Sequence, residues 1–423
     1  MRQDDSNAKA ASRRVVVVGG GPAGLLAAGT AAALGAHTTI LEKMDRPGRK
    51  LSLAGTGRRV LTNLAPLEQY LGAYGPNGKF LHPALLHFSS IELAAFVESL
   101  GVALELERSG RFFVTEDQMA AMTSALTKWA AEKGVNILTD SAATNLQVEK
   151  GTITSVLVGP KKSVLAESVV LATGGKSYPE TGSTGDGYAL AEAVGHRIVP
   201  TRPALVPLET KGDFTPRLQG LSLRDVATRL LVNDHCEDDL VGDVAFTSFG
   251  LSGSVIQHLS RQAVDALQKG GKVEIALDLV TSMDERTLEA RLLSSFNDKS
   301  TNELHSILEE LLPINLAAVV LEALDLSGKM IGAQVTPAER RRLRHVIKDF
   351  RLRVTGHGPW DEAIVTAGGV SLEEVDPQTM QSRLVKGLYF AGEVLDIDGP
   401  SGGYNLQAAF STGRLAGQSA ASM

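Results

Sequence analysis

Cysteine is almost missing from this chain. A single copy, Cys236, among 423 residues excludes a disulfide framework, a CxxC dithiol relay and a thiolate zinc site together; a reducing compartment fits. Aromatic residues are scarce at 5%, and there is no basic surplus: 42 Lys+Arg against 48 Asp+Glu leave a formal net charge of −6. A protein that coats nucleic acid needs a basic surface to neutralise phosphates, so that class is disfavoured. An unbroken membrane-length apolar helix is lacking too. Val15 to Ala36 is uncharged and follows Arg13-Arg14, as a signal peptide or span would. Gly19-Gly20-Gly21-Pro22 would break such a helix near its first third. A strand, a tight turn and a small-residue helix account for the same residues, and a cytoplasmic protein without membrane contact is expected.

What is present is a core and a set of glycines. Apolar residues make up 43% of the chain, ample for packed domains, and 423 residues allow two or three of them. The 43 glycines exceed the roughly 7% usual in proteins and fall in clusters, where backbone approaches something closely. Residues 1–12 read as a loose polar tail. Arg14–Gly19, Pro22–Leu34 and His37–Glu42 read as strand, helix and strand, a βαβ opening that predicts a parallel sheet covered by helices. Further strands are expected at Ala143–Glu149, Thr152–Val158 and Ser168–Ala172, and an amphipathic helix at Gln118–Lys133.

Beyond Val199 prolines punctuate short alternating runs (Val226–Val232, Leu240–Phe246, Lys272–Leu277), and Met283 to Ile347 reads as helical. Thr336-Pro337-Ala338-Glu339 is a capping box with proline in the first turn. Strands return at Arg351–Thr355 and Leu388–Ala391, before a last helix near Leu406–Gln418. The expected organisation is one α/β domain in two parts, 13–198 and 348–423, interrupted by a β-plus-helical module at 199–347.

The chemistry begins at Gly19-x-Gly21-x-x-Gly24, between a predicted strand and a predicted helix. The first glycine permits the turn, the second admits a pyrophosphate, and the third lets helix pack on strand; Pro22 and Ala23 open the helix whose N-terminus faces the phosphates. Glu42 ends the second strand 18 residues after Gly24, where a carboxylate accepts from the adenosine ribose and disfavours a 2′-phosphate. No second copy of the fingerprint occurs, so the single one serves either FAD or NAD. The C-terminal segment favours FAD. Leu388 to Asp396 is an apolar strand that delivers an acid just past the Ala391-Gly392 step, as many FAD enzymes of the glutathione-reductase type end, with the acid bonding the ribityl chain. Gly402-Gly403-Tyr404-Asn405 then opens a helix whose N-terminus suits the anionic edge of a reduced flavin.

These words, in this order, resemble the bacterial BaiN-like, aminoacetone-oxidase-like family of NAD(P)/FAD-dependent oxidoreductases. The resemblance is carried by Gly48-Arg49-Lys50, Gly55-Thr56-Gly57-Arg58 with Thr62-Asn63, and Ala172-Thr173-Gly174-Gly175-Lys176-Ser177-Tyr178-Pro179. Gly182–Gly187, Phe249–Gly253, Glu362–Val370 and Ala391–Asn405 continue it over nearly the whole chain. It implies a discontinuous Rossmann-like FAD domain of the glutathione-reductase type with an inserted β-barrel-like and helical region, and two-electron flavin chemistry on a substrate that differs between members. Expected cofactor residues are Gly19, Gly21, Pro22, Ala23, Gly24, Glu42, Lys43, Arg49, Lys50, Arg58, Asn63, Ala143, Ala172, Thr173, Gly174, Gly392, Glu393, Asp396, Gly403, Tyr404 and Asn405. One departure stands out: the family commonly reads Gly-Arg-Cys-Asn where this chain has Gly57-Arg58-Arg59-Val60.

Other residues carry weaker signals. Asn233 to Asp239 holds metal-type side chains but lies between two apolar runs, as a solvated hairpin turn does, and no metal is expected. Arg340, Arg341, Arg342, Arg344, Lys348, Arg351 and Arg353 form a basic run, read as a solvated face or as a site for an anionic substrate or nicotinamide phosphate. His357, in a Gly-His-Gly loop, is an acid/base candidate because imidazole titrates near neutrality; Lys50 and Arg58 suit the cofactor better than proton transfer. The function expected is FAD-dependent oxidoreduction with non-covalent FAD and a small-molecule substrate. NAD(P)H as a transient electron donor, an amine-type oxidase releasing peroxide, and a flavin-bound RNA- or protein-binding module are the alternatives. Phe249–Gly253 is expected nearest the flavin ring.

Overall fold

The computed structural model describes residues 12–53, 59–160 and 162–422. They divide into two compact units: the chain up to Arg202 with the chain from Ile364 onward, and Pro203–Ala363 between them.

The first unit opens with β1 (Arg14–Val18), α1 (Pro22–Ala33) and β2 (His37–Leu41). Then come β3 (Arg59–Asn63), α2 (Leu67–Ala73), α3 (His82–His87), α4 (Ser90–Ser99), β4 (Glu105–Leu106) and β5 (Arg111–Val114). They are followed by α5 (Glu116–Glu132), β6 (Asn136–Leu138), β7 (Ala143–Glu149), β8 (Thr152–Val158), β9 (Lys162–Leu165), β10 (Ser168–Leu171), α6 (Asp186–Ala193) and β11 (Ile198–Ala204). Val15 to Val18 are all buried, the continuous apolar run of a strand covered on both faces. β1 accordingly lies inside the sheet, pairing in parallel with both β2 and β10.

The second unit is a closed antiparallel barrel with helices. Its elements are β12 (Leu208–Thr210), α7 (Phe214–Arg217), β13 (Ser222–Val232), β14 (His235–Phe246), β15 (Gly250–Ser252) and α8 (Ser254–Gln268). β16 (Val273–Asp278), α9 (Glu285–Asp298), α10 (Leu304–Leu308), α11 (Ile314–Ala323), α12 (Pro337–Lys348) and β17 (Phe350–His357) complete it. The barrel order is β12-β15-β14-β13-β16-β17, and it closes where β12 pairs with β17. Closure removes the exposed strand edges. α12 starts with the expected capping box, Thr336 with Glu339.

The chain then returns to the first unit through β18 (Val365–Val370), β19 (Leu388–Phe390) and α13 (Tyr404–Ser422). β19 adds to the edge of the parallel sheet, giving the order β19-β10-β1-β2-β6. Two three-stranded sheets, β3-β5-β4 and β7-β8-β9, and the β11–β18 pair complete this unit.

Four expectations need correction or sharpening. Residues 348–363 belong to the inserted unit, not to the returning part, because β17 is a barrel strand bonded to β12 and β16. His357 ends β17 opposite Leu208 instead of lying in a loop, and its Nδ1 bonds the carbonyl of Gly358 at 2.9 Å. Gly250 is required by the barrel: a Cβ there would lie 1.9 Å from the Leu208 carbonyl oxygen. Gly250 therefore serves strand pairing. The Asn233–Asp239 turn is only Asn233 and Asp234, both left-handed, and β14 has resumed by His235.

Among the described residues no group of His, Cys, Asp or Glu is arranged to hold a metal, and no single helix is long and apolar enough to cross a membrane.

Candidate functional site

The β1–α1 turn leaves open space at a helix N-terminus. Gly19 has φ +101°, and a Cβ on it would lie 2.5 Å from the Ala172 carbonyl oxygen. Gly24 packs so closely that its Cβ would sit 1.9 Å from the Gly19 carbonyl oxygen. Gly21 is the opposite case: nothing lies within 4 Å of where its Cβ would be. Gly21 is also the N-cap of α1 and supplies no side-chain cap. The first turn of α1 thus has no side-chain cap, and the positive end of the helix lies there.

Glu42 stands beside this turn, 9% exposed. Its Oε2 accepts from the Gly20 N–H at 2.7 Å and its Oε1 from the Met44 N–H at 2.9 Å. Each oxygen keeps acceptor capacity for a sugar hydroxyl. Ser141 donates its N–H to the Glu42 carbonyl, which brings the start of β7, with Ala143, to the same corner. On the other side, Ala172-Thr173-Gly174 leaves β10. Thr173 Oγ1 is buried without a hydrogen-bond partner among the described residues, and a Cβ on Gly187 in the first turn of α6 would meet it at 1.9 Å. A buried hydroxyl left unmatched is costly, so this one awaits a partner.

A second focus lies where four separated segments meet. Glu393 Oε2 accepts from Lys50 Nζ at 2.6 Å. Glu393 Oε1 accepts from the Thr366 N–H at 2.8 Å and from Ser177 Oγ at 3.0 Å. Lys50 Nζ also donates to Ser177 Oγ at 2.6 Å, and Thr366 Oγ1 accepts the Lys176 N–H at 2.8 Å. Lys50 and Glu393 were expected at the cofactor; Ser177 and Thr366 lay inside quoted motifs without an assigned role. Tyr188, packed nearby with its hydroxyl 3.4 Å from the Glu393 carbonyl, has its pKa pushed far up by burial and by the Glu393 and Asp396 charges.

The mouth of α13 forms the third part. Gly403 has φ +90°, and its Cβ would fall 2.6 Å from Thr62 Cα, so β3 lies directly on this turn. Asn63 donates from Nδ2 to the Gly402 carbonyl at 2.8 Å. Asn405 is engaged with the chain itself, its amide pairing with both N–H and C=O of Gly399 at 2.8 Å. The Asp396 carbonyl accepts from Asn77 Nδ2 at 2.7 Å. Tyr404 packs edge-on against Tyr70 and Tyr74. Burial pushes Tyr70 up to about 12 against the lowering effect of its bonds to Thr62 and Asn63.

Other expected residues are placed differently. Lys43 is held by Asp186 at 2.6 Å and by Thr184. Burial pushes the Asp186 carboxyl up, but bonds from Lys43 and Thr184 outweigh it and hold the group below its ordinary value. Arg49 pairs with Asp45 at 3.3 Å. Gly392, with φ +75°, donates its N–H to Thr412 Oγ1. Arg58 and the glycines before it lie outside the described residues. Arg59 and Val60, where the family reads Cys-Asn, begin β3 opposite Val114 and Phe113.

Most of the basic run is neutralised locally. Arg340 pairs with Glu289 at 2.7 Å, Arg344 with Glu285 and Glu289, Lys348 with Asp278, and Arg351 with Asp349 at 2.8 Å. Arg342 donates to the Leu324 carbonyl.

A parallel sheet, an uncapped glycine turn and a carboxylate at the end of β2 define a Rossmann-type dinucleotide-binding protein with an inserted barrel unit. The chain belongs to the HI0933-like Rossmann-domain family, whose model matches residues 13–419. It is 31% identical over 387 residues to a 3-dehydro-bile acid delta(4,6)-reductase of Clostridium scindens, covering 91% of this chain and 93% of the relative. It is 29% identical to a ribosomal RNA dihydrouridine synthase of Escherichia coli, covering 92% and 93%.

Among solved structures, Mycobacterium smegmatis Sdh1 in its apo form superposes with a TM-score of 0.52 at 20% identity, over 97% of this chain and 68% of that one. The 3-ketosteroid-delta4-(5alpha)-dehydrogenase of Rhodococcus jostii gives 0.50 at 16% identity, with full coverage of both. At these identities the likeness is one of fold.

Proposed function

We propose that the chain is an FAD-dependent oxidoreductase that uses NAD(P)H to reduce a carbon–carbon double bond conjugated to a carbonyl in a small molecule. The observation that carries the cofactor reading is the first unit's pairing of an open, uncapped glycine turn with Glu42 and the unpartnered Thr173 hydroxyl. The α1 N-terminus with Gly19, Gly21 and Gly24 would hold the pyrophosphate, and Glu42 the ribose. Thr173 Oγ1 would gain a partner in the same cradle. The N-terminus of α13 would stabilise negative charge on the flavin's pyrimidine edge. FAD, when bound, supplies hydride transfer at its N5.

The names of both kinds of relative describe saturation of a double bond, in a Δ4,6 bile acid and in uridine. That shared chemistry supports a reductase over an oxidase. The balance is NAD(P)H, one proton and C=C giving NAD(P)⁺ and CH–CH. The net charge of −6 and the internal pairing of Arg340, Arg344, Lys348 and Arg351 support a small substrate rather than RNA.

The test is anaerobic stopped-flow bleaching of the flavin band near about 450 nm. Bleaching by NADH or NADPH within the turnover time is expected. Bleaching only by amines would replace this reading with an amine oxidase.

A further inference from the structure

Most polar side chains at the mouth of α13 are already spent on the protein itself. Asn63 holds the Gly402 carbonyl with Nδ2 and the Ala65 N–H with Oδ1. Tyr70 is bonded to Thr62 Oγ1 and takes the Asn63 N–H. Tyr74 donates to the Tyr404 carbonyl at 2.8 Å, and the Asn405 amide is closed on Gly399. Two groups are not spent. The Arg111 guanidinium and the Tyr404 hydroxyl have no hydrogen bond or ion pair among the described residues.

An unpaired arginine on a surface is ordinary; the position of this one is not. Arg111 stands opposite Asn63 in the β3–β5 pairing, and Asn63 reaches the Gly402 turn. Its end of β5 is pinned, because the Arg111 carbonyl accepts from the Glu107 N–H and the Gly110 carbonyl from the Leu64 N–H. A Cβ on Gly402 would lie 3.7 Å from Arg111 Nε and 3.6 Å from Tyr404 Cε2. The two side chains therefore meet at Gly402, which is buried although Ser401 before it is exposed. With φ +122° that position favours glycine, so the turn brings no side chain of its own.

A guanidinium has five N–H donors and no acceptor, and a phenol hydroxyl adds one donor more. Donors of this kind at one turn, one of them permanently charged, match an electron-rich oxygen, above all one that gains charge during a reaction.

We propose that Arg111, with the Tyr404 hydroxyl beside it, binds the carbonyl oxygen of the conjugated substrate and stabilises the charge that oxygen gains. This rests on the reductase reading above and adds a substrate contact that the reading does not contain. Hydride, supplied as in that reading, forms the new bond at the carbon β to the carbonyl. The double-bond pair moves toward oxygen, giving an enolate; a solvent proton at the α-carbon then completes CH–CH and restores the carbonyl. Arg111 keeps its own protons throughout, since a guanidinium does not deprotonate in proteins.

The test uses two probes followed by fluorine NMR on the FAD-loaded protein. Pentafluorophenolate carries a conjugated oxyanion like an enolate; pentafluoroanisole has the same ring without the charge. Arg111→Gln and Arg111→Met should each weaken the phenolate about ten- to hundredfold, the loss expected for a hydrogen bond to a charged group, and Tyr404→Phe about two- to tenfold. Arg111→Lys keeps the charge without the planar fork and should recover part of the affinity. Pentafluoroanisole should stay within about twofold in every variant, because it offers the guanidinium no charge. FAD affinity should not change, and circular dichroism establishes that each variant is folded. No phenolate binding, phenolate affinity unchanged in Arg111→Gln, or equal losses for both probes would overturn the proposal and leave the reductase reading standing. FAD affinity falling in step with the phenolate would move Arg111 to the cofactor and overturn it too. Enones left unreduced by a wild-type protein that needs Arg111 for the phenolate would overturn the reductase reading itself.

Discussion

Lys50 Nζ donates to Glu393 Oε2 at 2.6 Å across 343 positions of sequence. The contact joins the loop after β2 to the turn after β19, two places where strands of a parallel sheet end on the same side. In open α/β sheets that is where ligands bind, and in the proposed reading the ion pair lies at that edge of the first unit.

In the proposed reading the adenosine end of the site depends on Glu42. Glu42→Ala removes a charged acceptor from any bound ribose and also releases the Gly20 N–H that it holds at 2.7 Å. A loss of about 1.5–3 kcal/mol in cofactor binding is expected, read as roughly ten- to hundredfold weaker retention of FAD after gel filtration. Stoichiometric FAD in the variant would remove Glu42 from the site.

Two glycines of one turn should respond in opposite ways to the same substitution. Gly24→Ala forces a methyl to 1.9 Å from a backbone oxygen, and overpacking of this kind costs about 1–3 kcal/mol or more. Gly21→Ala meets nothing within 4 Å, so its melting temperature without cofactor should match the wild type. Its cofactor affinity should fall, because the methyl enters the space a pyrophosphate needs. Equal melting temperatures for both variants would contradict this account of the turn.

His196 predicts an acid limit on stability. Ser382 Oγ accepts from the N–H groups of Leu384 and Val385, so its proton goes to His196 Nε2 at 2.8 Å. Nδ1–H then donates to Glu374 at 3.1 Å, and the ring is held neutral. Burial lowers its pKa from the usual 6.5, with Glu374 opposing. Below that pH the unfolded chain binds the proton more readily than the folded one, so stability falls as pH drops from 6.5 toward the folded value. His196→Gln should be about 1–3 kcal/mol less stable at pH 8 and lose less between pH 7.5 and 5. Urea midpoints at the two pH values decide it; parallel losses in variant and wild type would contradict the arrangement.

Much of the fold was legible because local pattern and tertiary context agreed. β7 and β8 fall on Ala143–Glu149 and Thr152–Val158 as their alternation indicates, and the βαβ opening follows from Val15 to Val18 and the glycine turn. Other features were set by distant partners. β14 starts at His235, five residues before the apolar run, because β13 pairs with it through His235↔Val232 whatever the polarity of its side chains. β17 joined the barrel because Leu208 meets His357, a pairing no local periodicity encodes. In the site, Glu42 and Glu393 were visible as acids at strand ends. Ser177 and Thr366 were not, since their bonds to Glu393 form only where the segments after β10 and β19 meet β18.

The central claim is tested most directly by product analysis under anaerobic turnover. With the FAD-loaded protein, NADPH or NADH and a panel of conjugated enones, the account predicts one saturated product per nicotinamide oxidised and no requirement for oxygen. Nicotinamide oxidation that needs oxygen and yields peroxide, with every enone recovered unchanged, would contradict it.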